Sequence, residues 1–167
     1  ASATISFTTG LDSTYSSYVF KFIDIHPATD GVSFQFNMST DGGSNYNVTK
    51  TTTSFITYHD EADTLTSLSY STSFDLAQST AYQILSGTDC GNGADENISG
   101  LLQIFSPSST VFVKHFIGSS NNNTYNNFCA GNYIAGYGNT VSAVDAVRFQ
   151  FSSGNIDDGI IKLYGVS

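Results

Sequence analysis

Two cysteines, three histidines and fourteen acidic residues are the side chains of this 167-residue chain that could carry nucleophilic, metal-binding or acid–base chemistry. His26, His59 and His115 are too far apart in sequence to form a two-histidine metal motif, and no Cys-x-x-Cys pair is present. His115 lies in an apolar strand-like segment, which predicts a packed or rim histidine. The Gly-x-Ser-x-Gly elbow and the phosphate-binding loops are also missing. The sequence therefore predicts no catalytic residue and no enzyme.

The carboxylates form three small groups, of which Asp157 and Asp158 are the last. Calcium binds six or more oxygens, and loop carboxylates at the end of a sandwich could supply some of them. None of the groups has the spaced D-x-D-x-D-G pattern, so a solvated acidic loop is the expectation and calcium at Asp157 and Asp158 the alternative. Paired carboxylates for glycoside hydrolysis are a further alternative, although the chain has no Trp for stacking against sugars. No other cofactor or metal is predicted.

Cys90 and Cys129 are the only cysteines, and both lie in segments rich in Gly and Asn. Two free thiols are the expectation, and one disulfide between two loops is the alternative. A single bridge would not amount to the disulfide framework of a small secreted domain.

Three tyrosines, Tyr125, Tyr133 and Tyr137, stand among Asn and Gly residues, with Asn132 beside them. Tyr offers a flat apolar ring and a hydroxyl, which suit contact with a sugar or a protein. We predict these four residues as candidates for glycan or partner contact. The alternative is that the rings cap the core at one end of the fold.

The composition and charge restrict the class of partner. The formal net charge is −9, so phosphate backbones and anionic membrane surfaces would be repelled, and neither nucleic acid nor membrane is an expected partner. Thirteen Phe and ten Tyr residues provide apolar bulk, while only five Lys and Arg residues occur. These proportions favour strands over helices.

Short apolar segments recur between turn residues along the whole chain, which predicts a single all-β domain, residues 1–167, with about ten antiparallel strands in a jelly-roll-like β-sandwich. Residues 18–25 are apolar on both faces and predict a strand buried on both sides. Residues 32–39 alternate cleanly, and the Asp-Gly-Gly turn at 41–43 predicts a hairpin that returns through 46–48. Residues 121–123 are predicted as a loop tip.

Three segments together resemble small structural proteins of bacteriophages and prophages. They are residues 36–44 with the Ser-Thr-Asp-Gly-Gly-Ser turn, residues 97–109, and the ending at 143–165 with Ser-Ser-Gly-Asn-Ile and Leu-Tyr-Gly. The similarity runs in order from residue 5 to the C-terminus and is weakest between 50 and 86.

That resemblance implies a component of the virion, without catalytic residues, whose partners are other capsid, tail or fibre proteins. The expected role is a surface-displayed capsid decoration or fibre module, assembled as a homotrimer. The alternative is a carbohydrate-binding module of a tail or head fibre that recognises a host surface glycan.

Overall fold

The computed structural model describes residues 1–167, which form eleven β-strands and no helix. The strands are β1 Ile5–Phe7, β2 Ser17–Pro27, β3 Phe34–Ser39, β4 Lys50–Asp60, β5 Thr66–Tyr70, β6 Gln83–Ile84, β7 Ile98–Phe105, β8 Lys114–Asn123, β9 Phe128–Gly138, β10 Ala146–Phe151 and β11 Ile156–Val166. They pair into a small sheet, β1-β10-β3-β6, and a large sheet, β11-β2-β7-β8-β9-β4-β5. All pairings are antiparallel, which confirms the predicted all-β sandwich. No helix that could cross a membrane is present.

Phenylalanine rings from both sheets fill the core between them. Side chains alternate across each strand, so every second residue of β3 and β10 points inward. The ring of Phe149 lies 5.2 Å from that of Phe20 on the large sheet and 5.8 Å from that of Phe34 beside it. Phe36 meets Phe116 edge-on at 5.2 Å. Burying these rings supplies the main favourable free energy of folding.

A polar layer extends the interior where the large sheet is wider than the small one. The segment between β5 and β7 covers this part of the large sheet and is held by side chains that reach its backbone. Asn132 donates to the Ser86 carbonyl (3.0 Å), and the Ser120 hydroxyl donates to the Leu85 carbonyl (2.5 Å). Since buried polar groups are costly unless they are hydrogen-bonded, these bonds fix the covering segment in place.

Three predictions about individual elements are wrong. The turn at 41–43 forms, but residues 46–48 are not a strand, because β10 and β6 already occupy the two edges of β3. Residues 18–25 lie in β2 and are covered on one face only, with Lys21 and Ile23 exposed. Residues 121–123 belong to β8, and the loop tip follows them at 124–127.

Candidate functional site

The outward side chains of the large sheet form a broad surface with an aromatic and aliphatic centre, which we call the outer face. One row crosses all seven strands in register, and neighbouring positions in it are Cα partners. In order, the row comprises Lys162, Lys21, Leu101, Ser119, Tyr133, Phe55 and Tyr70. The next row places Ile117, which is 45% exposed, beside Ala135.

Aromatic and aliphatic side chains on the outer face are exposed rather than packed. Phe55 and Tyr133 are 44% and 45% exposed and stack on each other with ring centroids 4.9 Å apart. A shallow groove of about 330 Å³ runs beside them, past Leu101 and Ile117. Six strand spacings make the sheet about 29 Å wide, and five residues of strand add about 17 Å of height, so the face covers on the order of 500 Å². Contiguous exposed apolar side chains with polar residues around them are typical of interaction sites.

The charges on the outer face lie at its two opposite edges. Lys21 and Lys162 are paired on β2 and β11, and the Lys21 ammonium also lies 5.5 Å from the centre of the Tyr164 ring. At the other edge, the Tyr70 hydroxyl on β5 donates to the carboxylate of Asp75 (2.6 Å). Within this row, one edge therefore carries two lysines and the other a carboxylate beside an exposed ring, while Asp24, Asp157 and Asp158 lie further along β2 and β11.

A second feature, which we call the loop-end cleft, lies where three loops meet at one end of the sandwich. Its volume is about 260 Å³. Its lining residues come from the β4–β5 hairpin, the β6–β7 connection and the β8–β9 hairpin, and are Tyr58, Leu65, Thr88, Asp89, Thr124, Tyr125, Asn126 and Phe128. It combines three aromatic rings with one carboxylate.

Hydrogen bonds hold the walls of this cleft. The buried Thr124 hydroxyl accepts from the backbone N–H groups of Asn126 (3.3 Å) and Phe128 (3.1 Å), which closes the β8–β9 turn. Asn127 adopts φ 61°, and its carbonyl accepts from the Glu61 N–H (3.1 Å) on the neighbouring hairpin. This bond joins the β8–β9 turn to the β4–β5 hairpin, and the β-bridge between Cys90 and Thr124 joins it to the β6–β7 connection.

The predicted contact residues are not all brought together. Tyr125 lines the loop-end cleft, whereas Tyr133 and Tyr137 lie on the outer face, Tyr137 beside His115 with ring centroids 6.1 Å apart. The assignment of Asn132 as a contact residue is wrong. It is fully buried because its position on β9 points inward, where it accepts from the Ser54 hydroxyl (2.8 Å).

The disulfide considered as an alternative for Cys90 and Cys129 does not form. Cys90 is buried in the core between the sheets, while Cys129 is exposed on the outward side of β9. Burial, with a contribution from the neighbouring Asp89 charge, raises the pKa of Cys90 to about 12, so this thiol stays protonated. Both cysteines are therefore free thiols.

Asp157 and Asp158 line an open acidic pocket together with Asp24 and His26. Asp157 bonds to the His26 ring (2.7 Å), and Asp158 accepts from the Gly159 N–H (2.7 Å). Burial opposes the charged form of His26, but its bonds to Asp157 and to the Gly93 carbonyl raise its pKa overall. No group of three or more His, Cys, Asp or Glu residues is arranged to hold a metal ion. The residues at the predicted calcium position thus do not form a built metal site.

Sequence reasoning missed most of both surfaces. Leu101, Ile117 and Phe55 could have been found from strand alternation, since each occupies an outward position between inward ones. Tyr58 and Asp89 gave no local signal, because the cleft assembles from segments far apart in the chain.

Comparison of the chain with protein-family models, with curated proteins and with solved structures finds no match.

Proposed function

We propose that this chain is a structural protein of a bacteriophage particle, displayed on the surface as a capsid decoration or fibre module, that assembles as a homotrimer through the outer face. The observation that carries the proposal is the cluster of exposed aromatic and aliphatic side chains at the centre of the outer face, together with the sequence resemblance described above. The role is one of contact, without catalysis.

The charge distribution favours copies of the same chain as the occupant of the outer face. With a net charge of −9, copies repel one another in general, so a homotypic interface needs a surface where attraction prevails. If the copies are related by rotation about an axis parallel to the strands, each row of residues lies at the same level along that axis in every copy. This rotation therefore brings Lys21 and Lys162 of one copy towards Asp75 of the next. Rotation about an axis across the strands would instead set lysine against lysine.

The interior of the resulting contact would be apolar. Between the charged edges, Leu101 and Ile117 of one copy meet the Phe55–Tyr133 stack of the next, so each copy shields part of its neighbour's exposed aromatic surface. Interface centres are depleted in charge and enriched in aromatic residues, and the outer face has this composition.

Sedimentation velocity of the purified chain tests the assembly, and mass spectrometry of purified particles tests the location. We expect a trimer that Ile117→Asp converts to a monomer, because the substitution places a charge at the interface centre. Val141→Asp is the matched control, since Val141 is 57% exposed in a loop outside the sheet. A wild-type chain that remains monomeric would refute the outer face as an assembly surface. Particles that yield no peptide of this chain would refute the structural role.

A further inference from the structure

We propose that the loop-end cleft binds a single neutral sugar residue, a hexose or N-acetylhexosamine at the end or edge of a glycan. The proposal goes beyond the particle role, because a structural component need not recognise a sugar. Its test is independent of whether the chain assembles.

The size of the cleft limits the ligand to about one ring. Pockets for drug-sized molecules span about 300–1,000 Å³, and this cleft, at about 260 Å³, lies just below that range. It is open to solvent, with Tyr125 48% exposed at its rim. A single pyranose could therefore enter while the rest of a glycan remains outside.

The aromatic walls suit the apolar face of a sugar ring. Tyr58 and Phe128 meet edge-to-face, with ring centroids 5.4 Å apart and planes at 84°, so each fixes the orientation of the other. Tyr125 projects from the β8–β9 turn on the same cleft. Aromatic side chains offer flat apolar surface with few rotatable bonds, so contact with a C–H face costs little conformational entropy.

The polar groups of the cleft are available to sugar hydroxyls. One oxygen of Asp89 accepts from the Ser33 hydroxyl (2.6 Å), which orients the carboxylate, and the other has no protein partner. The side chains of Thr88, Tyr125 and Asn126 likewise form no hydrogen bond within the chain, and none is a buried unsatisfied group. A carboxylate accepts from two neighbouring hydroxyls, and an amide can both donate and accept. Together they offer both donors and acceptors to the hydroxyl groups along one edge of a sugar.

The charge of the cleft selects neutral sugars over acidic ones. Asp89 is the only charged side chain in the lining, and no Lys, Arg or His accompanies it. A sialic or uronic acid would bring a second carboxylate towards Asp89 and towards a chain of net charge −9. Neutral hexoses and N-acetylhexosamines meet no such repulsion.

The site is also preorganised. The Thr124 hydroxyl closes the turn that carries Tyr125, and the Asp60 carboxylate closes the β4–β5 turn by accepting from the N–H groups of Thr64 (2.9 Å) and Leu65 (2.8 Å). Binding therefore does not have to order these loops, which reduces its entropic cost.

Titration of the full-length chain with soluble methyl glycosides, followed by NMR chemical shifts, tests the proposal. The probes are the methyl glycosides of glucose, galactose, mannose, N-acetylglucosamine and N-acetylgalactosamine, with the methyl glycoside of sialic acid as the acidic comparison. We expect at least one neutral glycoside to bind with millimolar affinity and to shift signals from the cleft, and the acidic one to bind at least tenfold more weakly.

Substitutions then locate the site. Tyr125→Ala and Asp89→Asn should each weaken binding of that neutral glycoside about tenfold or more, while Tyr125→Phe should retain most of it because the ring is preserved. Tyr15→Ala is the matched control, since Tyr15 has the same side chain and is 42% exposed but lies between β1 and β2, outside both the cleft and the outer face. Circular dichroism of each variant checks that it is folded.

The proposal would be overturned if none of the neutral glycosides bound, if the methyl glycoside of sialic acid bound best, or if Tyr15→Ala weakened binding as much as Tyr125→Ala does. Because the probes are monovalent, each of these results leaves the test of assembly through the outer face unaffected.

Discussion

Lys50 should make the stability of this protein rise with pH through the neutral to mildly alkaline range. Its side chain is fully buried, and its ammonium donates to the Asn37 side-chain oxygen (2.5 Å) and to the Val48 carbonyl (2.8 Å). No carboxylate lies within ion-pairing distance. Burial without a countercharge disfavours the charged amine and lowers the pKa of Lys50 from 10.5 to about 7.

The direction of the effect follows from proton uptake. Between about pH 7 and pH 10.5 the unfolded chain keeps a proton on Lys50 and the folded chain does not, so unfolding takes up a proton. Stability therefore rises with pH across that window, with a slope of up to about 1.4 kcal/mol per pH unit. Integration between these two pKa values gives a gain of about 2 kcal/mol from pH 7 to pH 9.

Two other groups also affect how the free energy of unfolding changes with pH. Burial also lowers the pKa of Lys114, whose ammonium donates to the Phe112 and Thr140 carbonyls, so Lys114 adds to the rise. The raised pKa of Cys90 acts in the opposite direction. The unfolded thiol ionises near pH 9 and the folded one near pH 12, so stability is lost as pH rises above 9. The free energy of unfolding should level off above pH 9 and then decline.

Urea unfolding at a series of pH values measures this effect, with the free energy of unfolding extrapolated to water at each pH. Lys50→Met should reduce the increase in the free energy of unfolding between pH 7 and pH 9 by about 2 kcal/mol. The part of the increase that comes from Lys114 should remain. Lys162→Met, at an exposed position, is the control and should leave the profile unchanged. A flat wild-type profile, or a Lys50→Met profile as steep as that of the wild type, would refute the reasoning.

Two further predictions concern the cysteines and the core. Iodoacetamide should alkylate Cys129 but not Cys90 in the folded chain, and both after unfolding, as read by mass spectrometry; two adducts in the native state would contradict the burial of Cys90. Phe149→Ala should lower the free energy of unfolding by about 3–5 kcal/mol in urea titrations, because it opens a cavity among four other Phe rings. Phe112→Ala, at a site 73% exposed, should change the free energy of unfolding by less than about 0.5 kcal/mol. Equal losses of stability in Phe149→Ala and Phe112→Ala would contradict this account of the core.

The strand pattern predicted the fold because alternation is a local property. Val147, Phe149 and Phe151 point into the core as their spacing indicates. The error at residues 18–25 has a non-local cause. A strand that is apolar on both faces can be covered on both faces, or it can be covered on one face and expose apolar side chains on the other. Which of these occurs depends on the number and placement of the other strands.

The same limit applies to the candidate sites. Asn132 stands among residues typical of a contact loop, yet it is buried, because the segment between β5 and β7 folds over its strand. Cys90 and Cys129 both lie in turn-rich sequence but on opposite sides of the large sheet. Tyr125 was predicted as a contact residue, but half of the residues that line the cleft, Tyr125 included, come from its own hairpin and the rest from two other loops. Composition can mark a residue as suited to contact, but long-range pairing determines what lies beside it.

The two proposed surfaces are compatible because they occupy different parts of the same strands. The outer face uses the middle of β4 and β9, whereas the loop-end cleft uses the turns at one end of those strands. An assembly whose axis runs parallel to the strands would place the cleft of every copy at the same end of the assembly. Single-sugar sites of millimolar affinity then act together, and avidity can exceed the affinity of one site by about 10²–10⁴ when the sites reach the same surface. Assembly through the outer face would in this way make weak sugar sites sufficient for attachment.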